Sequence, residues 1–145
     1  MSTAPANILE WTPEYSVNVA EIDREHRIWF SVVNRLHAAM LSGKGTKILG
    51  PLLAEVTDYT RCHFAHEENL MAAARYPAFR EHVQEHKALR QRTQAFTNRF
   101  QSGEAAMTIE FTLFLSEWIK GHTMSRDRRL GEYLISSGYT CATTG

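Results

Sequence analysis

Between His63 and His86 the chain carries two pairs of metal-capable side chains, each four residues apart: His63 with Glu67, and His82 with His86. Four residues of α-helix advance roughly 400°, so each pair projects from one face, one turn apart. Tyr76-Pro77 lies between the pairs, and a proline there ends one helix and opens the next. Two antiparallel helices then bring three imidazoles and a carboxylate together. That is a metal site in outline. It constrains the fold, because other helices must supply the missing ligands and close around them.

Apolar positions recur with the helical period on both sides of this stretch. Ile22, Trp29, Phe30, Val33, Leu36 and Met40 mark a first helix starting near 19–22, with His26 on its apolar face and SGKG at 42–45 ending it. A second helix starts between Thr46 and Pro51, since proline is tolerated only in a first turn. Val56, Tyr59, His63, Glu67 and Leu70 form its stripe, which runs to about Ala74. Phe79, His82, His86, Leu89, Thr93, Phe96 and Phe100 define a third helix that stops near Ser102-Gly103. The fourth opens near Thr108 and carries Phe111, Leu115, Trp118, Ile119 and His122. Residues 1–18 read as an extended arm, because Thr12, Pro13 and the alternation in YSVNV argue against a helix; Trp11 and Tyr15 anchor it. A short C-terminal helix, DRRLGEYLI, covers about 127–136, and 137–145 is a tail. The fold class is all-α: an up-down-up-down antiparallel four-helix bundle over about 19–126, within a single domain spanning 1–145.

A chain of 145 residues buries a core without staples. Its formal net charge of zero gives no reason to expect a nucleic acid or an acidic membrane as partner. The N-terminal residues lack a signal-peptide pattern, and no apolar run approaches the ~20 residues of a membrane span. Cys62 sits in a helix and Cys141 in a small-residue tail. No disulfide is expected, and a free-thiol, cytoplasmic chain follows.

Each of the four helices brings histidine to its apolar face: His26, His63, His82 with His86, and His122. One such histidine alone reads as a hydrogen-bonded core residue. Five of them with Glu67 in register do not, because burying that many imidazoles without partners is costly. Asp127 is the seventh candidate, five residues after His122. On a continuous α-helix that is ~500°, or ~140° away from His122. Asp127 therefore joins the site only if the helix breaks within MSRDRR; alone, it reads as a solvent-facing cap of the last helix. Five imidazoles and two carboxylates exceed the four ligands of structural zinc. They suit two first-row metals bridged by the carboxylates, and imidazole accepts iron, copper, nickel or zinc. The E-x-x-H pairs of ferritin-like di-iron bundles are absent from the sequence. His37, eleven residues after His26, lies ~16 Å along the axis; His66 is ~60° and Cys62 ~100° off the His63 direction. None of these three reads as a ligand.

IDREH at 22–26, HFAHEENLM at 63–71, HVQEH at 82–86 and WIKGHTMSRD at 118–127 together resemble the hemerythrin family. The resemblance runs from Trp11 to about Leu134 and is strongest to single-domain bacterial members. It implies two iron ions bridged by Glu67, Asp127 and a solvent-derived oxide or hydroxide. His82, His86 and His122 would complete one iron; His26 and His63 would hold the other, which keeps an open position for dioxygen. The implied function is reversible dioxygen binding for carriage or storage, without turnover, in a chain favoured as a monomer. By their offsets from the histidines, Trp29, Phe64, Trp118 and Ile119 would wall the oxygen pocket, though each is equally an ordinary core residue. Trp29 departs from the smaller leucine-type residue common in the family, and its bulk would narrow that pocket. Glu25 stands where glutamine is frequent. Two other functions remain open: an oxygen-sensing or oxygen-delivery module acting on a partner protein, and a di-iron oxidase or peroxidase. Against the enzyme, the histidine-rich shell has few carboxylates free to shift.

Overall fold

A computed structural model describes residues 7–106 and 109–138. Five α-helices occupy them: α1 Ala20–Leu41, α2 Thr46–Ala73, α3 Phe79–Gln101, α4 Ile109–His122 and α5 Arg128–Ser136. Helix α1 packs against α2 and α4, and α2 against α3; Phe96 of α3 stacks on Phe111 of α4 at 4.0 Å, which closes the expected four-helix bundle. No strand occurs among the described residues. Thr108, where α4 was expected to open, and Cys141 with its tail lie outside them.

The N-terminal arm is clamped rather than free. The Asn34 side chain on α1 accepts the Leu9 N–H at 2.8 Å and donates to the Leu9 carbonyl at 2.7 Å. A 3-10 turn, Pro13–Tyr15, interrupts the extended course: Thr12 caps the Glu14 N–H, and proline presets the first turn residue. Arg27 lies 4.9 Å above the Trp11 ring, and Tyr15 meets Phe30 edge-on at 5.2 Å. Asp23 ties the arm to the start of α1, accepting the Val17 N–H at 2.9 Å and the Ser16 hydroxyl at 2.6 Å.

The helix ends follow backbone chemistry more than proline placement. Gly43 stops α1 at φ 71, a conformation glycine adopts without steric cost. Helix α2 begins at Thr46, so Pro51 sits inside it, just beyond the first turn. The carbonyl of Lys47 loses its helical partner, but Lys47 is exposed and water can serve. Helix α2 ends at Ala73, before Pro77, because Arg75 turns left-handed at φ 55. Tyr133 of α5 then caps it by donating to the Ala74 carbonyl at 2.8 Å.

The expected break after His122 is absent. Residues Thr123–Asp127 form a π-helical turn that joins α4 directly to α5, with His122 and Arg128 both in helical geometry. The C-terminal helix is thus a continuation of the fourth. At Gly131 it runs so close to the arm that a Cβ would collide with the Val17 backbone carbonyl.

Buried side chains divide into two apolar clusters. One includes Trp29, Leu53, Phe64, Leu89 and Ile119; the other includes Ile22, Met71, Tyr76 and Leu130. Between them, on every long helix, lies a layer of buried histidines and carboxylates: His26, His63, Glu67, His82, His86, His122 and Asp127.

Candidate metal centre

All seven candidates converge. His26, His63, Glu67 and Asp127 form one group of potential donors, and Glu67, His82, His86, His122 and Asp127 form a second. Within each group the donor atoms lie within 4.8 Å of one another. Glu67 and Asp127 belong to both. Each divides its two oxygens between the groups. Glu67 Oε2 lies 3.5 Å from His26 Nε2 and 3.2 Å from His63 Nε2. Its Oε1 lies 3.3 Å from His82 Nε2 and 3.2 Å from His86 Nε2. Asp127 Oδ2 is 3.0 Å from His26 Nε2, while its Oδ1 is 3.0 Å from both His82 Nε2 and His122 Nε2.

The π turn explains how Asp127 reaches this place. Its i→i+5 pattern stacks residues five apart, as an α-helix stacks residues four apart. His122 and Asp127 therefore share a face without any break. Asp127 is fully buried, which replaces the solvent-facing cap that an α-helical register suggests.

These contacts are close but do not satisfy the atoms. Both oxygens of Glu67 and of Asp127, the Nε2 of His26, His63 and His82, and the Nδ1 of His26 and His82 are buried without a hydrogen-bond partner. Nine such atoms in one layer are a large exception to the rule that buried polar groups are paired. His86 and His122 point their Nε2 atoms at each other across 3.2 Å. A shared cation would satisfy the inward-facing Nε2 atoms and the four carboxylate oxygens together, so the donor set fits metal; the outer Nδ1 atoms of His26 and His82 lie outside that set. No ion is needed to see what replaces it: protons. Burial alone would discharge His63, yet Glu67 and Glu25 push it up to about 10. Burial would discharge His122 too, and Asp127 with Glu85 push it up to about 9. Against the same burial, Asp127 and Glu67 raise His26 and His82. Burial would raise the Glu67 and Asp127 carboxyls; the surrounding histidines hold both well below the usual range.

Three further carboxylates, to which the sequence assigned no role, hold the outer ring nitrogens. Glu25 meets His63 Nδ1 at 2.7 Å, Glu68 meets His86 Nδ1 at 2.9 Å, and Glu85 meets His122 Nδ1 at 2.9 Å. Each comes from the helix that precedes its histidine. The contact fixes Nδ1 as the N–H donor and leaves Nε2 facing the layer, the usual arrangement behind a metal-bound imidazole. The Glu85 carboxyl is held down to about 2, by the His122 bond and then by Arg126.

Aromatic rings flank the layer on the side of the larger apolar cluster. Phe64 stacks on His86 at 3.8 Å and Trp118 on His122 at 4.5 Å. Trp29 lies 5.0 Å from His63 and 6.1 Å from His26, and its indole N–H is spent on Thr60 at 2.9 Å. Trp29, Phe64 and Ile119 are fully buried. His37 sits away from the layer, bonded to Thr112 at 2.8 Å. His66 faces Glu25 instead of the carboxylate pair.

A four-helix bundle with a histidine-rich layer shared by two donor groups defines a class of dinuclear cation-binding proteins. The hemerythrin HHE cation binding domain matches residues 17–134. The chain is 34% identical over 121 residues to the bacteriohemerythrin of Stenotrophomonas maltophilia, covering 83% of this chain and 78% of that one. It is 31% identical over 128 residues to the bacteriohemerythrin of Methylococcus capsulatus, covering 88% and 97%. A crystal structure of wild-type hemerythrin superposes with a TM-score of 0.84 at 31% identity, over 87% of this chain and 97% of that chain. The protein belongs to the hemerythrin family.

Proposed function

We propose that the protein binds dioxygen reversibly at a di-iron centre and serves as an oxygen carrier or store. One observation carries this reading: each shared carboxylate gives one oxygen to each donor group. Glu67 and Asp127 would then bridge the two ions. Their neighbours count unequally, with His82, His86 and His122 on one ion and only His26 and His63 on the other. His26 and His63 would hold their ion with one fewer imidazole than the other, which would leave it able to take up an incoming ligand. When bound, the iron pair supplies the two electrons with which dioxygen is held and returned.

The chain's own residues do the rest. The five imidazoles bind and orient the ions without adding charge, and the outer carboxylates hold three of the rings in place. Trp29, Phe64 and Ile119, with Trp118 over His122, form an apolar wall that keeps water and protons from the bound ligand. Binding without turnover accords with the donor set: both inner carboxylates would be taken up in holding the two ions, and neither would be free to move during bond cleavage. We read residues 1–145 as a single domain acting as a monomer in the cytoplasm, a setting that suits the exposed free thiol of Cys62. No helix among the described residues is long and apolar enough to cross a membrane.

Anaerobic reduction followed by cycles of oxygen addition and removal, watched by optical spectroscopy, tests this function. Colour should appear with oxygen and bleach on its withdrawal over repeated cycles, with no added reductant. Colour that persists, or that returns only with a reductant, would overturn carriage and favour an oxidase.

A further inference from the structure

The three outer carboxylates do not end alike. Glu68 also receives Arg90 at 3.0 Å, and Glu85 receives Arg126. Glu25 instead gives its second oxygen to His66 Nδ1 at 2.5 Å, and the other nitrogen of that ring lies 3.5 Å from Glu21. Resting on the di-iron reading, we propose that Glu25 is a positioning residue that sets, through His63, the electron richness of the iron held by His26 and His63.

Three features support this. A guanidinium is a permanent cation in contact with its carboxylate, so Glu68 and Glu85 meet their histidines with part of their charge already drawn away. The partner of Glu25 is a second imidazole, itself shared with Glu21. Next, the two donor groups are served unequally. The group with three histidines has two outer carboxylates behind it. The group with two has Glu25 alone, since the outer nitrogen of His26 is unpartnered. Finally, the contact is shielded. Tyr59 donates to the Glu25 backbone carbonyl at 3.0 Å, and its ring lies parallel to that of His63. The Glu25 side chain is 19% exposed, against 22% for Glu68 and 33% for Glu85. An imidazole whose N–H faces a carboxylate is the more basic ligand. A more basic ligand favours the ferric ion over the ferrous one. Glu25 therefore makes the open iron easier to oxidise than a neutral amide would.

Glu25→Gln keeps the shape and removes the charge. Loaded with iron, this variant should retain two ions per chain. Its reduction midpoint should rise, with the oxidised-to-reduced ratio at a fixed potential falling about tenfold, equivalent to 59 mV for one electron. His66→Gln, which keeps the Glu25 charge, should shift the midpoint less. In protein loaded with zinc, which is diamagnetic, the His63 Nδ1–H proton should resonate far downfield and move upfield in Glu25→Gln. An unchanged midpoint with two irons bound overturns the proposal. Should Glu25→Gln fail to hold iron, an unchanged zinc-loaded resonance overturns it instead. Wild-type protein that takes up fewer than two irons would overturn the di-iron reading itself, and this proposal with it.

Discussion

Glu67 contacts four histidines and is completely buried, so it is where the two halves of the site meet. Glu67→Ala removes a donor from both groups at once and should leave less than one iron per chain after iron-replete expression. His37→Ala is the matched control. It removes a buried histidine whose role is the Thr112 hydrogen bond, a loss of roughly 1–3 kcal/mol in stability, and should leave two irons. Elemental analysis decides; equal iron content in the two variants would contradict the ligand assignment. At this scale six of the seven inner residues were legible because a helix writes its buried face into spacing; Asp127, five residues from His122, was implied only by the family resemblance. Glu25, Glu68 and Glu85 were not legible, because each acts on a neighbouring helix. A faint trace exists. Each sits one position from an inner residue, beside His26, Glu67 and His86, and therefore at the edge of the buried face, where it can reach sideways.

Among the elements, the π turn Thr123–Asp127 is the feature that spacing misjudged. Five residues between ligands looked like a broken helix because α-helical geometry was assumed throughout. A π turn is an α-helix carrying one extra residue, and no propensity scale marks where that residue goes. It follows that removing one residue there restores ordinary register instead of destroying it. Deletion of exposed Ser125 should leave Leu130 and Leu134 facing the core and Tyr133 capping α2. Metal-free protein with this deletion should keep its helical circular dichroism and a cooperative melt. Deletion of exposed Cys62, in the regular helix α2, turns His63, Glu67 and the rest of that helix by roughly 100° and should leave no cooperative melt. Equal damage from the two deletions would mean the π turn is not a register insertion. The end of α2 shows the same limit in milder form. Pro77 suggested a boundary nearby, but the stop is set by Arg75 and by a tyrosine 59 residues away.

For the molecule as a whole, the polar layer is the seam between two apolar clusters, and what fills it governs stability. In metal-free protein the seam is held by protonated histidines. Their folded pKa values, about 10 for His63 and about 9 for His122, lie above the ordinary 6.5. The stability they contribute is therefore complete below pH 6.5 and is lost as pH rises through 9 to 10. Metal binding requires the neutral rings and releases those protons, so affinity moves the opposite way. The gap in melting temperature between metal-loaded and metal-free protein should widen from pH 6.5 to pH 9.5. A gap independent of pH would mean that protons and metal do not compete for the same atoms. Legibility was greatest at this scale: a histidine on each helix face is a pattern that only a closed bundle satisfies. The span of the seam also has a bearing on how the protein is made. Its first member is His26 and its last is Asp127. At roughly 5–20 residues per second of synthesis, the earliest ligand waits several seconds for the latest one. Iron cannot find a finished site on the growing chain, so loading falls after translation. Every newly made molecule then passes through a metal-free form, in which protons on His63 and His122 hold the places that metal takes.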